Sequence, residues 1–262
     1  MNDLNFRGLI CGPSETLEEF YKRCEFFKEI KQQPQLLKNI LQLPEIVEHK
    51  ALKYEDLDLK IDWLFVNPSK KGLLIWEAAA TWTIEVDEVA IPLLQVKTTS
   101  KAIQEDILKH EAVHIARIAF KEPIYEEFLA YATSKTRWRK FLGPLFRFPK
   151  ESLIFVILSF CPLLNLFFPI SMYLLLSPLL IFSIILLGRL FFHYRVFIKA
   201  LSNIASIFDV KSPLALALRL TDKEIHLFAF SRLEELYQYM NKRTCPRWKQ
   251  ILSSYQLKAT NK

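Results

Sequence analysis

Glycine is scarce in this chain, five residues in 262, while phenylalanine is abundant at 21. That balance argues against a low-complexity or repeat architecture, and no self-similarity recurs at a fixed period. The four cysteines, Cys11, Cys24, Cys161 and Cys245, lie far apart and form no CxxC pair. A cysteine-built zinc site or a disulfide framework is therefore not expected, and a reducing compartment is the modest inference for the soluble parts. Met1 to Gly12 lacks a basic segment followed by a long apolar core, so no cleavable secretory signal is evident. Charge is absent altogether from residues 152–188.

That uncharged stretch explains the charge elsewhere. The formal net charge is +7, but much of the excess sits in Lys135, Arg137, Arg139, Lys140, Arg147 and Lys150, just before the apolar run, and in Arg189, Arg195 and Lys199, just after it. Basic residues on both shoulders of an apolar run fit membrane orientation better than phosphate recognition, and no nucleic-acid-binding motif competes for them. A nucleic-acid partner is not expected; a lipid bilayer is. Residues 152–188 suffice for two spans of roughly 17–20 residues, with Pro169 and Ser171 near the middle and Pro162 and Pro178 as possible kinks. A two-helix hairpin puts both basic flanks on one side, which should be the cytoplasm. The expectation is an integral membrane protein of a bacterial inner membrane, with both termini cytoplasmic. Trp138, Phe141, Phe146 and Phe148, interleaved with Arg and Lys, suit a headgroup-level lead-in to the first span.

Upstream, apolar residues from Leu17 to Ile30 recur at three- and four-residue steps, predicting a helix from Ser14 to about Leu43 with Thr16 and Glu19 as a capping box. The texture then changes. Runs 63–66, 73–76, 81–86 and 91–96 are aliphatic, β-branched and aromatic, which predicts a small, mostly antiparallel sheet. Thr98 or Ser100 should cap a helix running to about Phe120, and Pro123 should open a second from about Ile124 to Phe141. After the hairpin the chain reads as a mainly helical tail, with Asp222 capping one of its helices, that packs back on the N-terminal part. The expected fold class is α+β, divided into 1–150, a hairpin at 151–194 and a tail at 195–262.

Within the first of those two helices lies His110-Glu111-Ala112-Val113-His114. Two histidines four residues apart share one helix face, one turn apart, where two ring nitrogens can reach one metal ion. Glu111 projects beside them as a general base rather than a ligand, acting on a water that zinc brings to a pKa of about 7. The segment is the HExxH motif, and with a strand before it and a helix after it the chain resembles the zincin metallopeptidases over about residues 73–141. The resemblance implies a Zn2+ cofactor, a peptide or protein substrate held by strand addition along run 81–86 or 91–96, and hydrolysis of peptide bonds.

A catalytic zinc needs a third protein ligand. Arg117 and Phe120 stand where the extended HExxHxxGxxH motif has its Gly and its third His. The chain instead resembles the gluzincins, whose third ligand is a carboxylate from the next helix. Glu126 and Glu127 both stand at the start of that helix. Ala130, three residues beyond Glu127, matches the gluzincin setting and favours Glu127 as ligand, with Glu126 as a cap, a supporting partner or the alternative ligand. Tyr131 replaces the Asp or Asn that usually orients a ligating histidine, so some other acceptor is required. Tyr131 and His226 are the candidates for stabilising the transition state. Because Gln104, Glu105, Asp106, Lys109 and Arg117 surround the motif, the site should lie outside the hydrocarbon. The expected activity is that of a membrane-anchored zinc metalloendopeptidase. The rival is a non-catalytic, membrane-anchored interaction protein with a structural or degenerate zinc helix.

Overall fold

The computed structural model describes residues 2–32, 47–48, 52–73, 78–86, 89–97, 101–167 and 171–258. A short α1 (Asn2–Phe6) leads to α2 (Leu17–Gln32). Thr16 and Glu19 form the predicted reciprocal cap: Glu19 N–H donates to the Thr16 hydroxyl at 3.2 Å and Thr16 N–H to the Glu19 carboxylate at 2.7 Å. The predicted continuation of this helix to Leu43 lies outside the described residues, as do most of the 73–76 run and the proposed caps Thr98 and Ser100.

Six strands follow: β1 (Val47–Glu48), β2 (Leu52–Tyr54), β3 (Leu59–Ile61), β4 (Phe65–Asn67), β5 (Ala79–Val86) and β6 (Val89–Val96). β2 and β3 form a separate ribbon, and the main sheet runs β1-β4-β6-β5. Two of its three pairings are antiparallel, as expected, but β4 and β6 are parallel, with Phe65 opposite Leu93. Composition accounts for the order. β6 is apolar on both faces and nearly all buried, so it takes an interior place. The alternating Thr81-Trp82-Thr83-Ile84-Glu85-Val86 can leave one face in water, and β5 takes the edge.

α3 (Lys101–Ala116) carries the histidine motif, and α4 (Glu126–Ala132) and α5 (Arg137–Leu142) follow. Both helical predictions need correction. α3 stops at Ala116 rather than Phe120, and the single helix expected over 124–141 is two. Lys121 adopts a left-handed φ of 52°, which turns the chain. The break after Ala132 has an electrostatic cause. Asp106 of α3 accepts from Lys135 N–H at 3.3 Å and from the Ser134 hydroxyl at 3.4 Å, and it pairs with Arg139. Groups that would have continued the helix are drawn to a carboxylate instead.

α6 (Pro149–Phe160) runs on as a 3-10 turn to Leu166, and α7 (Met172–Ile207) is one helix of 36 residues. The 18 residues from Pro149 to Leu166 have mean hydropathy 1.4 with none of them buried, and α7 reaches 2.3. Both are long and apolar enough to cross a membrane. At the base of the pair, the Glu151 carboxylate is joined to the Arg189 guanidinium.

α7 passes straight through residue 194, and its last turns bury Val196, Phe197, Ala200, Ile204 and Ile207 in the core of the first part. β7 (Phe208–Asp209), α8 (Pro213–Ala217), α9 (Asp222–Phe230), α10 (Leu233–Asn241), α11 (Pro246–Ser254) and β8 (Gln256–Leu257) close that same core. The tail is thus no separate unit. Fully buried Arg219 donates to Asn5 Oδ1 at 2.6 Å and to the Asp58 carbonyl at 3.1 Å. Gln250 bridges the Leu9 carbonyl and Cys11 N–H, each at 3.0 Å. Asp222 does not cap α9; Thr221 does, in a capping box with Glu224. The Asp222 carboxylate reaches instead to Ile124 N–H at 2.8 Å and Tyr125 N–H at 3.1 Å. It thereby supplies, from the far end of the chain, the acceptors that open α4 needs.

Candidate metal centre

The last two turns of α3 and the first turn of α4 face each other. His110, His114 and Glu127 each offer a donor atom there, all within 4.8 Å of one another. The two histidine Nε2 atoms are 3.3 Å apart. Glu127 lies 3.6 Å from His114 Nε2 through one oxygen and 3.8 Å from His110 Nε2 through the other. Two nitrogens bound at about 2.0–2.1 Å to a tetrahedral ion stand about 3.3–3.4 Å apart, so the group could hold a metal ion.

Glu126 occupies a different position from its neighbour. Its carboxylate takes the Nδ1–H of His114 at 2.7 Å, which fixes the tautomer and turns Nε2 toward the other donors. This supplies the acceptor that Tyr131 could not, from one residue before Glu127. Tyr131 meets the His110 ring edge-on, with centroids 4.5 Å apart. Gly143 backs that contact. A Cβ at this position would fall 2.2 Å from the Tyr131 ring, so only glycine lets the ring stay against His110. Nδ1 of His110 is buried and has no hydrogen-bond partner among the described residues.

Charge separates the two histidines. Burial, then the neighbouring His114, pushes the His110 pKa well below the ordinary imidazole value. Burial also opposes charge on His114, but the Glu126 hydrogen bond and the carboxylates of Glu127 and Glu111 outweigh it and hold its pKa at about 9. Burial raises the Glu127 carboxyl, with His114 opposing.

Glu111 stands apart from the three donors, its carboxylate accepting the Thr81 hydroxyl of edge strand β5 at 2.6 Å. A cavity of about 630 Å³ opens over the group. One wall is β5, through Ala79, Ala80, Thr81 and Thr83, and another is the chain from Phe146 to Pro149 at the foot of α6. His226 is engaged elsewhere, at 2.9 Å from the Tyr125 hydroxyl. Sequence reasoning gave Thr81 and Gly143 no place in the site and read Asp222 only as a helix cap. Of the first two only Gly143, a rare glycine set before Pro144, carries any sequence signal.

Comparison of the chain with protein-family models, with characterised proteins and with solved structures returned no match.

Proposed function

We propose that this chain is a membrane-anchored, zinc-dependent metallopeptidase of gluzincin-like, zincin type. The observation that carries the reading is the convergence of His110, His114 and Glu127 under an open cavity, with Glu111 beside them but not among them. When bound, zinc supplies Lewis acidity to a water and to the scissile carbonyl. Glu111 takes the proton of the attacking water and hands it to the departing amine. Thr81 holds the Glu111 carboxylate, Glu126 holds the His114 ring, and Tyr131 braces His110. β5 ends the sheet, and its outer edge has no strand partner among the described residues, so an extended substrate can add to it. A non-catalytic structural zinc would call for four protein donors and a closed site. Only three converge among the described residues, beneath a cavity.

Purified in mild detergent, the full-length protein is expected to hold close to one zinc per chain by elemental analysis and to cleave unfolded protein. Less than about 0.2 zinc per chain, unchanged in His110→Ala, would sink the reading. The hairpin of α6 and α7 is the proposed anchor in a bacterial inner membrane. The basic residues at its base support a cytoplasmic position for both termini in this reading. Reporter fusions at the two termini test this, and both reading as exterior would overturn it.

A further inference from the structure

Two arginines border the cavity without being used by the chemistry proposed above. Arg117 is fully buried and gives Nη1 to the carbonyls of Leu218 and Leu220, both at 2.8 Å. Its Nε and Nη2 have no hydrogen-bond partner among the described residues; Glu122 lies 4.0 Å from Nη2 and the Phe120 ring 4.2 Å from the guanidinium carbon. Arg147 lines the same cavity between Phe146 and Phe148, and its Nε and Nη2 are likewise closed off without a partner among the described residues, so the side chain must turn for that edge to face the cavity. The nearby carboxylate, Glu151, is already taken by the Arg189 guanidinium and by the backbone N–H of Arg147 at 2.8 Å.

A guanidinium cannot shed its charge to escape such a position. Buried donors left without acceptors are costly and uncommon, and each invites a missing partner. The idle pair is the same in both side chains. Nε and Nη2 form one flat edge of the guanidinium, the edge that receives both oxygens of a carboxylate side by side. We propose that Arg147, with Arg117 adding positive charge to the same cavity, forms an anion subsite that takes a carboxylate of the bound polypeptide. That carboxylate is an acidic side chain or the free C-terminus. The inference rests on the peptidase reading for its polypeptide, and on the unpartnered edges for its charge.

The test uses binding rather than turnover. Full-length Glu111→Gln protein in a neutral maltoside detergent is titrated into four dye-labelled octapeptides of Ala, Val and Leu, followed by fluorescence anisotropy. They carry a central Glu or Gln, each with a free or amidated C-terminus, so the side-chain and terminal sources separate. At least one carboxylate-bearing peptide is expected to bind about tenfold more tightly than the neutral one, the scale of a charge-assisted hydrogen bond. Arg147→Gln should abolish that preference while leaving the affinity for the neutral peptide in place. Arg147→Lys keeps the charge without the flat edge, should retain part of the preference, and carries the test should Arg147→Gln not fold. Equal binding of all four peptides, binding of none, or a preference that survives Arg147→Gln would overturn the proposal. The last result, joined to weaker sedimentation of that variant with phosphatidylglycerol vesicles, would assign Arg147 to lipid phosphate instead. A carboxylate preference in a wild-type protein that never cleaves would count against the peptidase reading alone. Zinc and cleavage without the preference would count against the subsite alone.

Discussion

Replacing Glu111 by Gln should lower peptide hydrolysis by about 10²–10⁴-fold, the usual contribution of a placed general base, while the zinc content stays unchanged. The two halves of this expectation come from separate features. Metal retention follows because the donors that converge are His110, His114 and Glu127, and Glu111 is turned toward Thr81 instead. Loss of turnover follows because an amide cannot accept the proton of the attacking water. The substitution is otherwise mild, since a Gln oxygen can still accept from the Thr81 hydroxyl at the sheet edge. Elemental analysis and a cleavage assay on the same sample check both halves. Full activity in Glu111→Gln would remove the general base from the proposal. A loss of zinc would make Glu111 a ligand and require the site to be reassigned.

The second large effect separates two adjacent glutamates. Glu126→Gln is expected to weaken zinc binding by about 10–100-fold, the range for a partner that orients a ligating histidine. Glu127→Gln removes a donor itself and should cost more than that. Competition with a chelator of known affinity measures both, and the reverse order would exchange the two roles. The pH dependence provides a second readout. The surrounding carboxylates hold His114 at about 9, above its ordinary value near 6.5, so the metal-free ring carries both protons at neutral pH. Zinc must displace the proton on Nε2, while the one on Nδ1 stays with Glu126. Apparent affinity should therefore rise by about tenfold per pH unit from this group up to about pH 9. In Glu126→Gln that rise should level off at a lower pH. For the metal-free fold the sign is opposite. A raised histidine pKa contributes stability that is fully present below about pH 6.5 and is lost as pH rises through about 9.

What the sequence alone determined about this protein is what rests on local chemistry and composition. The four-residue spacing of His110 and His114 needs only a helix to put both rings on one face, and α3 supplies it. The Thr16–Glu19 cap closes within four residues. The uncharged run at 152–188 marks two apolar helices because so long a stretch without charge leaves few other readings. The tertiary structure decided which glutamate meets which ring nitrogen. Glu126 and Glu127 are both acids in the first turn of one helix. Glu126 meets His114 Nδ1 and Glu127 lies near both Nε2 atoms, while Asp222, some hundred residues later in the chain, holds the N–H groups of Ile124 and Tyr125 just before them. Thr81 on Glu111, Gly143 behind Tyr131 and Asp106 breaking the second helix are contacts of the same kind. The pairing of the two histidines was legible because a helix repeats every 3.6 residues wherever it occurs. The surroundings that orient it were not, since they join distant segments whose meeting only the packed core determines.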